Sequence, residues 1–295
     1  LGLQDCVTLA GFIPDEQLCD YYNLCDIFAM PSKKEGFGIV YLEALACGKP
    51  VLGGNQDGAT DALCYGKLGA LVNDPNTFDF NRFQPAPKPS YLLEKYGLRR
   101  EQPIILTVAR LAEVERYKGY DQILQALPQI RQQIPDIHYI LVGKGNDETR
   151  IKQLITQLGL QDCVTLAGFI PDEQLCDYYN LCDIFAMPSK KEGFGIVYLE
   201  ALACGKPVLG GNQDGATDAL CYGKLGALVN PDDVSEITQT IIQILQNTYP
   251  NPLMYQPESL RQQVIDNFSF EQFQKTLAGY LQDFDGWNSG NKSPV

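Results

Sequence analysis

The sequence is poor in features that mark several common kinds of site. Histidine occurs once, at His138, and the ten cysteines form no C-x-x-C pair, so the ligand spacing of a zinc site is missing. No run of eighteen apolar residues is present, so no membrane-spanning helix is predicted. Lysine and arginine total 23 against 36 aspartates and glutamates. The net charge of −13 argues against nucleic acid as a partner, because binding a phosphate backbone needs a basic face.

The first 73 residues recur further along the chain without a substitution. Residues 1–73 are identical to residues 158–230, and all ten cysteines fall in these two copies, five in each. Diverged structural repeats keep a pattern rather than every surface residue. The identity therefore indicates a recent duplication, an engineered fusion or an assembly error. Five unique cysteines are an odd number, which favours buried free thiols in a reducing cytoplasm over a set of disulfides.

After residue 73, a proline-rich linker leads into alternating strands and helices. The linker covers 74–102 and contains one short helix near 91–96. Residues 103–283 are predicted to form an α/β domain with a Rossmann-like, doubly wound parallel sheet of strand order 3-2-1-4-5-6. Pro128 is expected to kink or shorten its first helix, and 284–295 is predicted to be a disordered tail. The predicted strands are 104–109, 137–142, 163–167, 183–187, 207–209 and 225–229; the predicted helices are 119–134, 147–158, 172–181, 196–203, about 237–245, and one from Ser269 onward.

The first copy holds only the later part of this domain. It contains the last four predicted strands but no equivalent of the strands at 104–109 and 137–142, which are central in the predicted order. We therefore expect 1–73 to be a partial duplicate that cannot close a sheet by itself and is marginally stable or aggregation-prone when isolated. Its unpaired edge also offers a route to a domain-swapped homo-oligomer.

Residues suited to chemistry follow the predicted strands at their carboxyl ends, where ligands lie in parallel α/β sheets. Arg110 ends the first strand and Lys118 precedes the first helix. Two cations beside a helix N-terminus are typical of a diphosphate site, although each alone could be a surface charge. Gly143-Lys-Gly145 ends the second strand, and the loop Glu192-Gly-Phe-Gly195 follows the fourth, where glycines let the backbone approach a ligand. Glu200 lies two turns into the next helix, where a carboxylate suits sugar hydroxyls better than phosphate.

The order of these motifs resembles that of a known enzyme family. The donor-binding domain of family 4, retaining, GT-B glycosyltransferases, which is the C-terminal half of the GT-B fold, has similar motifs. In this sequence they are Val108-Ala-Arg110-Leu, Lys118-Gly119, Pro188-Ser189, Glu192-Gly-Phe-Gly195 and the glutamate pair Glu192 and Glu200. Segment 76–85 resembles the one that these enzymes place between their two domains. Two features depart from the family pattern: the insertion-like stretch 112–117, and Asp218 where the family usually has Glu.

The resemblance implies a reaction as well as a fold. It implies a hexosyltransferase-type enzyme that transfers a sugar from a nucleoside-diphosphate sugar, with retention of configuration, to an acceptor that the sequence does not identify. Such an enzyme is expected in the cytoplasm. It is expected to need no metal cofactor, because a pair of cationic side chains takes the place of the metal.

The resemblance also implies roles for individual residues. Arg110 and Lys118 would hold the diphosphate and stabilise charge on the leaving group. Glu192 would bind sugar hydroxyls, and Glu200 would bind the ribose hydroxyls. The remaining predicted contacts to the donor come from the loop backbone and from the region of the base, and are Gly193, Phe194, Gly195, Gly168 and Phe169.

Two other functions stay open beside the enzyme. In the family, an acceptor-binding domain precedes the segment at 76, where this sequence has the partial copy; the 295 residues alone are therefore expected to bind a nucleoside diphosphate weakly and to transfer little. Glu35 and Glu43 repeat the glutamate motif without an equivalent of Arg110 or Lys118, so only the second copy is expected to bind donor. The alternative is a non-catalytic nucleotide-sugar-binding fragment or a domain-swapped module. A dehydrogenase is disfavoured, because no G-x-G-x-x-G opens the first helix.

Overall fold

The chain folds into two compact units, with boundaries between residues 74 and 75 and between residues 272 and 273. The computed structural model describes residues 5–32, 38–54, 58–64, 67–72 and 80–269, together with 271, 272, 274, 275 and 279. Unit 1 contains the described residues of 1–74 and 273–295, and unit 2 contains those of 75–272. The domain boundaries predicted at 73, 102 and 283 stay predictions.

Unit 1 has a three-stranded parallel sheet in the order β1-β2-β3. Its elements are α1 (Asp15–Leu24), β1 (Phe28–Met30), α2 (Ile39–Ala46), β2 (Val51–Gly54), α3 (Ala59–Ala62) and β3 (Ala70–Val72). The expectation of four strands in this copy was wrong, because residues 7–11 form no strand and Leu9 is 94% exposed. In the second copy the same residues pair with the strand His138–Val142, for which 1–73 has no equivalent.

Unit 2 is built on a six-stranded sheet in which every neighbouring pair is parallel. The strand order is β6-β5-β4-β7-β8-β9, which is the predicted order 3-2-1-4-5-6. The apolar runs that predicted the two central strands are buried almost throughout, as parallel strands covered on both faces require. The strands are β4 (Ile104–Val108), β5 (His138–Val142), β6 (Val164–Gly168), β7 (Ile184–Met187), β8 (Val208–Gly211) and β9 (Ala227–Val229).

Helices cover both faces of this sheet, as predicted for a doubly wound fold. Alternate strand residues enter two separate hydrophobic cores: Leu106 and Phe185 face one, and Ile105 and Ile184 face the other. The first core is completed by the helices that begin at Ser90, Asp172, Ile196, Ala216 and Pro257, and the second by those that begin at Tyr120, Glu148 and Val234. The helices are α4 (Ser90–Tyr96), α5 (Tyr120–Gln133), α6 (Glu148–Gln157), α7 (Asp172–Leu181), α8 (Ile196–Ala203), α9 (Ala216–Ala219), α10 (Val234–Leu245) and α11 (Pro257–Phe268), with 3-10 helices at Glu113–Lys118 and Pro252–Tyr255.

Two expectations about helices need correction. Helix α5 is not shortened at Pro128 but continues to Gln133, because Leu127 and Ile130 on either side of the proline are fully buried. Helix α11 was not predicted, although Pro257 at its first turn is a common helix start. The predicted cap at Ser269 is present, since its hydroxyl accepts a hydrogen bond from the Gln272 backbone at 3.2 Å. The inward-facing residues predicted beyond it (Phe273, Leu277 and Tyr280) and the tail 284–295 lie outside the described residues.

All ten cysteines are free thiols, but the prediction that they are buried holds for only part of the chain. Cys163, Cys182 and Cys204 are buried in unit 2. None of the five cysteines in unit 1 is buried, because the layers that cover their counterparts in unit 2 have no equivalent in 1–73. The same sequence therefore gives a core position in one copy and a surface position in the other.

Candidate active site

Lys118 and Glu192 form an ion pair at the carboxyl edge of the unit 2 sheet. The Lys118 ammonium donates a hydrogen bond to the Glu192 carboxylate, and the two side chains are 16% and 17% exposed. Lys118 ends the 3-10 helix that follows β4, whereas Glu192 lies in the loop after β7, 74 residues further along the chain. The neighbouring strands β4 and β7 bring these two predicted site residues together.

Gly119 lets the segment that carries Lys118 approach the loop closely. Its φ is +87°, and an added Cβ would lie 2.4 Å from the carbonyl oxygen of Pro188, so another residue would push the two segments apart. On the other side of Lys118, the Tyr117 carbonyl accepts a hydrogen bond from the Lys190 backbone at 3.0 Å. Backbone contacts on both sides of Lys118 therefore fix the position from which its side chain reaches Glu192.

Asp214 binds the backbone of the glycine loop Glu192–Gly195. The sequence interpretation did not identify Asp214. Its carboxylate accepts hydrogen bonds from the backbone of Glu192 at 2.7 Å and of Ala216 at 3.0 Å. Burial raises the pKa of Asp214, and these backbone hydrogen bonds oppose the rise. Gly215 packs so closely that an added Cβ would lie 1.6 Å from the Gly193 carbonyl oxygen. The available signal was the position of Asp214 just before α9, where Asp commonly accepts helix N–H groups.

The end of the loop forms the N-terminus of α8. Gly195 has a φ of +80° and caps the helix. The Phe194 ring is buried and makes an edge-to-face contact with Phe268, at 5.6 Å between ring centroids. Phe194 can therefore offer a ligand only its backbone. Gly193, next to Phe194, is exposed.

Arg110 pairs with a carboxylate from the stretch 112–117 rather than with Glu192. Its guanidinium Nη2 lies 2.8 Å from the Glu115 Oε1; the Arg110 side chain is 81% exposed and that of Glu115 is 10% exposed. This stretch forms the 3-10 helix and is held by Arg116, whose Nη2 donates to Asp147 at 2.7 Å. Hydrogen bonds from Arg150 and Arg116 hold the pKa of Asp147 well below its usual range. The insertion-like stretch is therefore an anchored part of the site.

Glu200 accepts a hydrogen bond from the Tyr179 hydroxyl at 2.6 Å, on the side of α8 that faces α7. Burial raises the pKa of Glu200, and this hydrogen bond opposes the rise. The first copy reproduces the arrangement, since the Tyr22 hydroxyl donates to Glu43 at 2.8 Å. Glu35, the counterpart of Glu192, lies outside the described residues. The tyrosine partner was not predicted from the sequence.

The ends of β5 and β6 meet at the predicted base-binding residues. The Gly143 backbone donates a hydrogen bond to the Gly168 carbonyl at 2.8 Å. An added Cβ on Gly143 would lie 1.8 Å from the Ala109 carbonyl oxygen, so this turn also packs against the residue before Arg110. Phe169 follows with a side chain that is 64% exposed and free to offer a ring face. The three strand ends that carry Arg110, Gly143 and Gly168 therefore lie side by side.

The described ranges contain neither a metal-binding cluster of side chains nor a helix that could span a membrane. Within those ranges no group of three His, Cys, Asp or Glu side chains is placed to hold a metal ion. Among the helices that the structure describes, none has the length and apolar character needed to cross a membrane.

The chain matches the sequence profile of the family described as glycosyl transferases group 1, over residues 1–82 and 92–267. It is 36% identical over 192 residues to the GDP-mannose-dependent alpha-(1-6)-phosphatidylinositol monomannoside mannosyltransferase of Mycolicibacterium smegmatis, covering 62% of this chain and 49% of that protein. It is 28% identical over 176 residues to the mannosylfructose-phosphate synthase of Agrobacterium fabrum, covering 57% of this chain and 38% of that protein. The chain thus spans about half or less of the length of these relatives.

Solved structures show the same fold. The Anabaena protein Alr3699/HepE, crystallised with UDP and glucose, superposes with a TM-score of 0.65 at 20% identity, over 91% of this chain and 81% of that one. A glycosyltransferase from Rickettsia africae superposes with a TM-score of 0.66 at 23% identity, over 92% of this chain and 68% of that one. At these identities the likeness establishes the GT-B type of α/β fold and nothing about ligands.

Proposed function

The chain belongs to the glycosyl transferases group 1 family, and we propose that unit 2 is the donor-binding half of a family 4, retaining GT-B glycosyltransferase. The proposed reaction moves a hexose from a nucleoside-diphosphate sugar to an acceptor. The Lys118–Glu192 ion pair beside the N-terminus of α8 is the observation that supports the proposal most directly. In the proposed site, the cation of this pair binds the diphosphate and the carboxylate beside it binds the sugar hydroxyls.

The ion pair couples binding of the diphosphate to binding of the sugar. A diphosphate oxygen that accepts from the Lys118 ammonium competes with the Glu192 carboxylate for the same donors. The carboxylate displaced from Lys118 then accepts hydrogen bonds from sugar hydroxyls. Binding of the diphosphate thus prepares the residue that orients the sugar, and the low exposure of both side chains strengthens each electrostatic contact.

Leaving-group stabilisation is the proposed role of Arg110 and Lys118. As the glycosidic bond breaks, negative charge accumulates on the diphosphate, and two cations positioned in advance stabilise that charge. The backbone N–H groups at Gly193–Gly195 and the N-terminus of α8 add a partial positive charge at the same edge. These groups supply the stabilisation that a divalent metal gives in other transferases, and no metal is part of the proposed mechanism.

The remaining roles concern the nucleoside. Glu200 is proposed to bind the ribose hydroxyls, with Tyr179 holding one carboxylate oxygen and leaving the other available. The base is proposed to lie near Gly168 and Phe169, where an exposed aromatic ring can stack on it. GDP-mannose is the first donor to test, because the name of the relative at 36% identity specifies it. We place the reaction in the cytoplasm on the basis of the free thiols.

For the first copy we propose no donor site. Residues 1–73 contain no counterpart of Arg110 or Lys118. A nucleoside diphosphate is therefore expected to bind to unit 2 alone. The alternative function, a non-catalytic or domain-swapped binding module, is favoured by the partly exposed strand β1, whose counterpart β7 is fully paired and buried. A monomeric mass by light scattering at all concentrations would count against swapping.

Isothermal titration of the 295-residue chain with GDP and UDP tests the proposal. Lys118→Met is expected to weaken binding of the preferred nucleotide by about tenfold or more, because a hydrogen bond to a charged group is lost. Glu192→Gln is expected to weaken binding of GDP-mannose in the same titration, because the Glu192 carboxylate is the proposed partner of the sugar hydroxyls. Glu35→Gln is the matched control, because the residues on both sides of Glu35 are identical to those around Glu192. Unchanged nucleotide affinity in Lys118→Met would refute the site.

A further inference from the structure

Glu115 is a buried carboxylate whose charge is only half satisfied. Oε1 pairs with Arg110 at 2.8 Å, but Oε2 is buried and has no hydrogen-bond partner. The whole residue is 7% exposed. A buried carboxylate oxygen without a partner is costly, so a structural role alone does not account for a glutamate at this position.

The backbone that carries Glu115 cannot move easily. Arg116, the next residue, is held by Asp147, and the backbone of Glu113 donates a hydrogen bond to Asn146 at 2.9 Å. The Glu115 N–H is itself bonded to the Ala112 carbonyl at 2.8 Å. Arg110, in contrast, is long and 81% exposed, so its guanidinium can turn toward solvent or toward a ligand. The carboxylate is therefore the fixed partner and the guanidinium the mobile one.

We propose that Glu115 competes with the donor's diphosphate for Arg110 and thereby lowers the affinity of this site for nucleoside diphosphates; the inference rests on the proposed function of Arg110. Glu115 acts through Arg110 and is a positioning residue, not a catalytic one. It belongs to the insertion-like stretch 112–117.

Two electrostatic terms make the effect of Glu115 unfavourable for binding. When the guanidinium turns toward the diphosphate, the buried carboxylate loses part of its only charge compensation. The carboxylate also repels the arriving phosphate groups, because like charges a few ångströms apart interact strongly near a protein surface. Both unfavourable effects, the lost charge compensation and the repulsion, end when the nucleoside diphosphate product leaves. The expected consequence is weak retention of product.

Titration of the full chain with GDP, UDP and inorganic pyrophosphate tests this inference. Glu115→Gln keeps the shape and removes the charge, and it is expected to tighten pyrophosphate and nucleotide binding about fivefold, the upper range for a partly exposed ion pair. Glu113→Gln removes the same charge from an exposed position two residues away and is expected to change affinity less than twofold. In an Arg110→Met background the gain from Glu115→Gln is expected to shrink to the part that comes from direct repulsion of the phosphate groups, a decrease that a purely structural role for Glu115 would not cause.

The outcomes separate the two proposals. If Arg110→Met weakens binding but Glu115→Gln binds no more tightly than the wild type, the competition is refuted while the diphosphate site stands. If neither Arg110→Met nor Lys118→Met changes affinity, the site itself is wrong and the competition falls with it. Glu115→Met is a second variant that fills the same space; because it removes a half-satisfied buried carboxylate, it is expected to fold at least as stably and to show the same tightening.

Discussion

The duplicated segment allows a core contact to be tested against itself. Leu181, the last residue of α7, is fully buried in the core that includes Leu92 and Ile104. Leu24 occupies the same place in the first copy, with identical residues on both sides, and is 80% exposed. Leu181→Ala and Leu24→Ala therefore replace the same residue in the same local sequence. The two sites differ only in their tertiary surroundings.

The expected free energies follow from burial. A fully buried leucine replaced by alanine typically costs about 3 to 5 kcal/mol through lost transfer energy and the cavity left behind. A surface change is usually within about 0.5 kcal/mol. With an m-value of about 2 kcal/mol/M in urea, Leu181→Ala is expected to lower the unfolding midpoint of unit 2 by on the order of 1.5 M or more. Helix propensity cancels, because both leucines end the same helix sequence.

Urea denaturation of the full chain, followed by far-ultraviolet circular dichroism, measures both variants. Leu24→Ala is expected to leave the unit 2 transition in place. Tyr178→Phe against Tyr21→Phe repeats the comparison for a hydroxyl, since Tyr178 bonds to the Tyr96 hydroxyl at 2.7 Å whereas Tyr21 is 43% exposed. If the two leucine variants lowered the urea midpoint of unfolding equally, this would refute the reasoning that the strands preceding the second copy create its core.

Three further outcomes are expected. Glu200→Gln should weaken GDP binding about tenfold, because a charged acceptor is lost, whereas Glu43→Gln should leave it unchanged; calorimetry that shows equal effects would contradict a single site. Gly119→Ala should lower the melting temperature and weaken GDP binding, because the positive φ is strained and the new methyl group meets the Pro188 carbonyl. The free energy of unfolding should fall as pH drops below 6.5, because burial lowers the pKa of His138 and the unfolded chain takes up the proton first; His138→Gln should flatten that part of the profile.

Most elements of unit 2 were predictable because their signals are local. The apolar runs of β4 and β5, the helix start at Pro171-Asp172 and the glycine that caps α8 each specify a strand, a start or a turn within a few residues. Helix α9, helix α11 and the two 3-10 helices were not predicted. Helix α11 has a proline start and only a widely spaced apolar pattern. Its burial against α8 shows that tertiary packing stabilises it more than its own sequence does.

The candidate site also contains features that the sequence predicted and contacts that it did not. The predicted residue types at the strand ends came from motif order, and the structure brings Lys118 and Glu192 together through the pairing of β4 with β7. The contacts of Asp214, Tyr179 and Glu115 were not predicted. Each joins segments through packing or through an irregular backbone, and no spacing rule in the sequence connects them.

The two identical copies show how far the sequence alone determines structure here. Helices α1, α2 and α3 begin and end at the same letters as α7, α8 and α9, because helix boundaries follow from local capping and hydrogen bonding. Burial does not repeat: Leu24 is exposed where Leu181 is buried, and 7–11 is coil where Val164–Gly168 is a strand. Strand pairing and a closed core need partners distant in sequence, and only the second copy follows β4 and β5. The pairing of β4 with β7, which only the tertiary structure provides, is what brings Lys118 to Glu192.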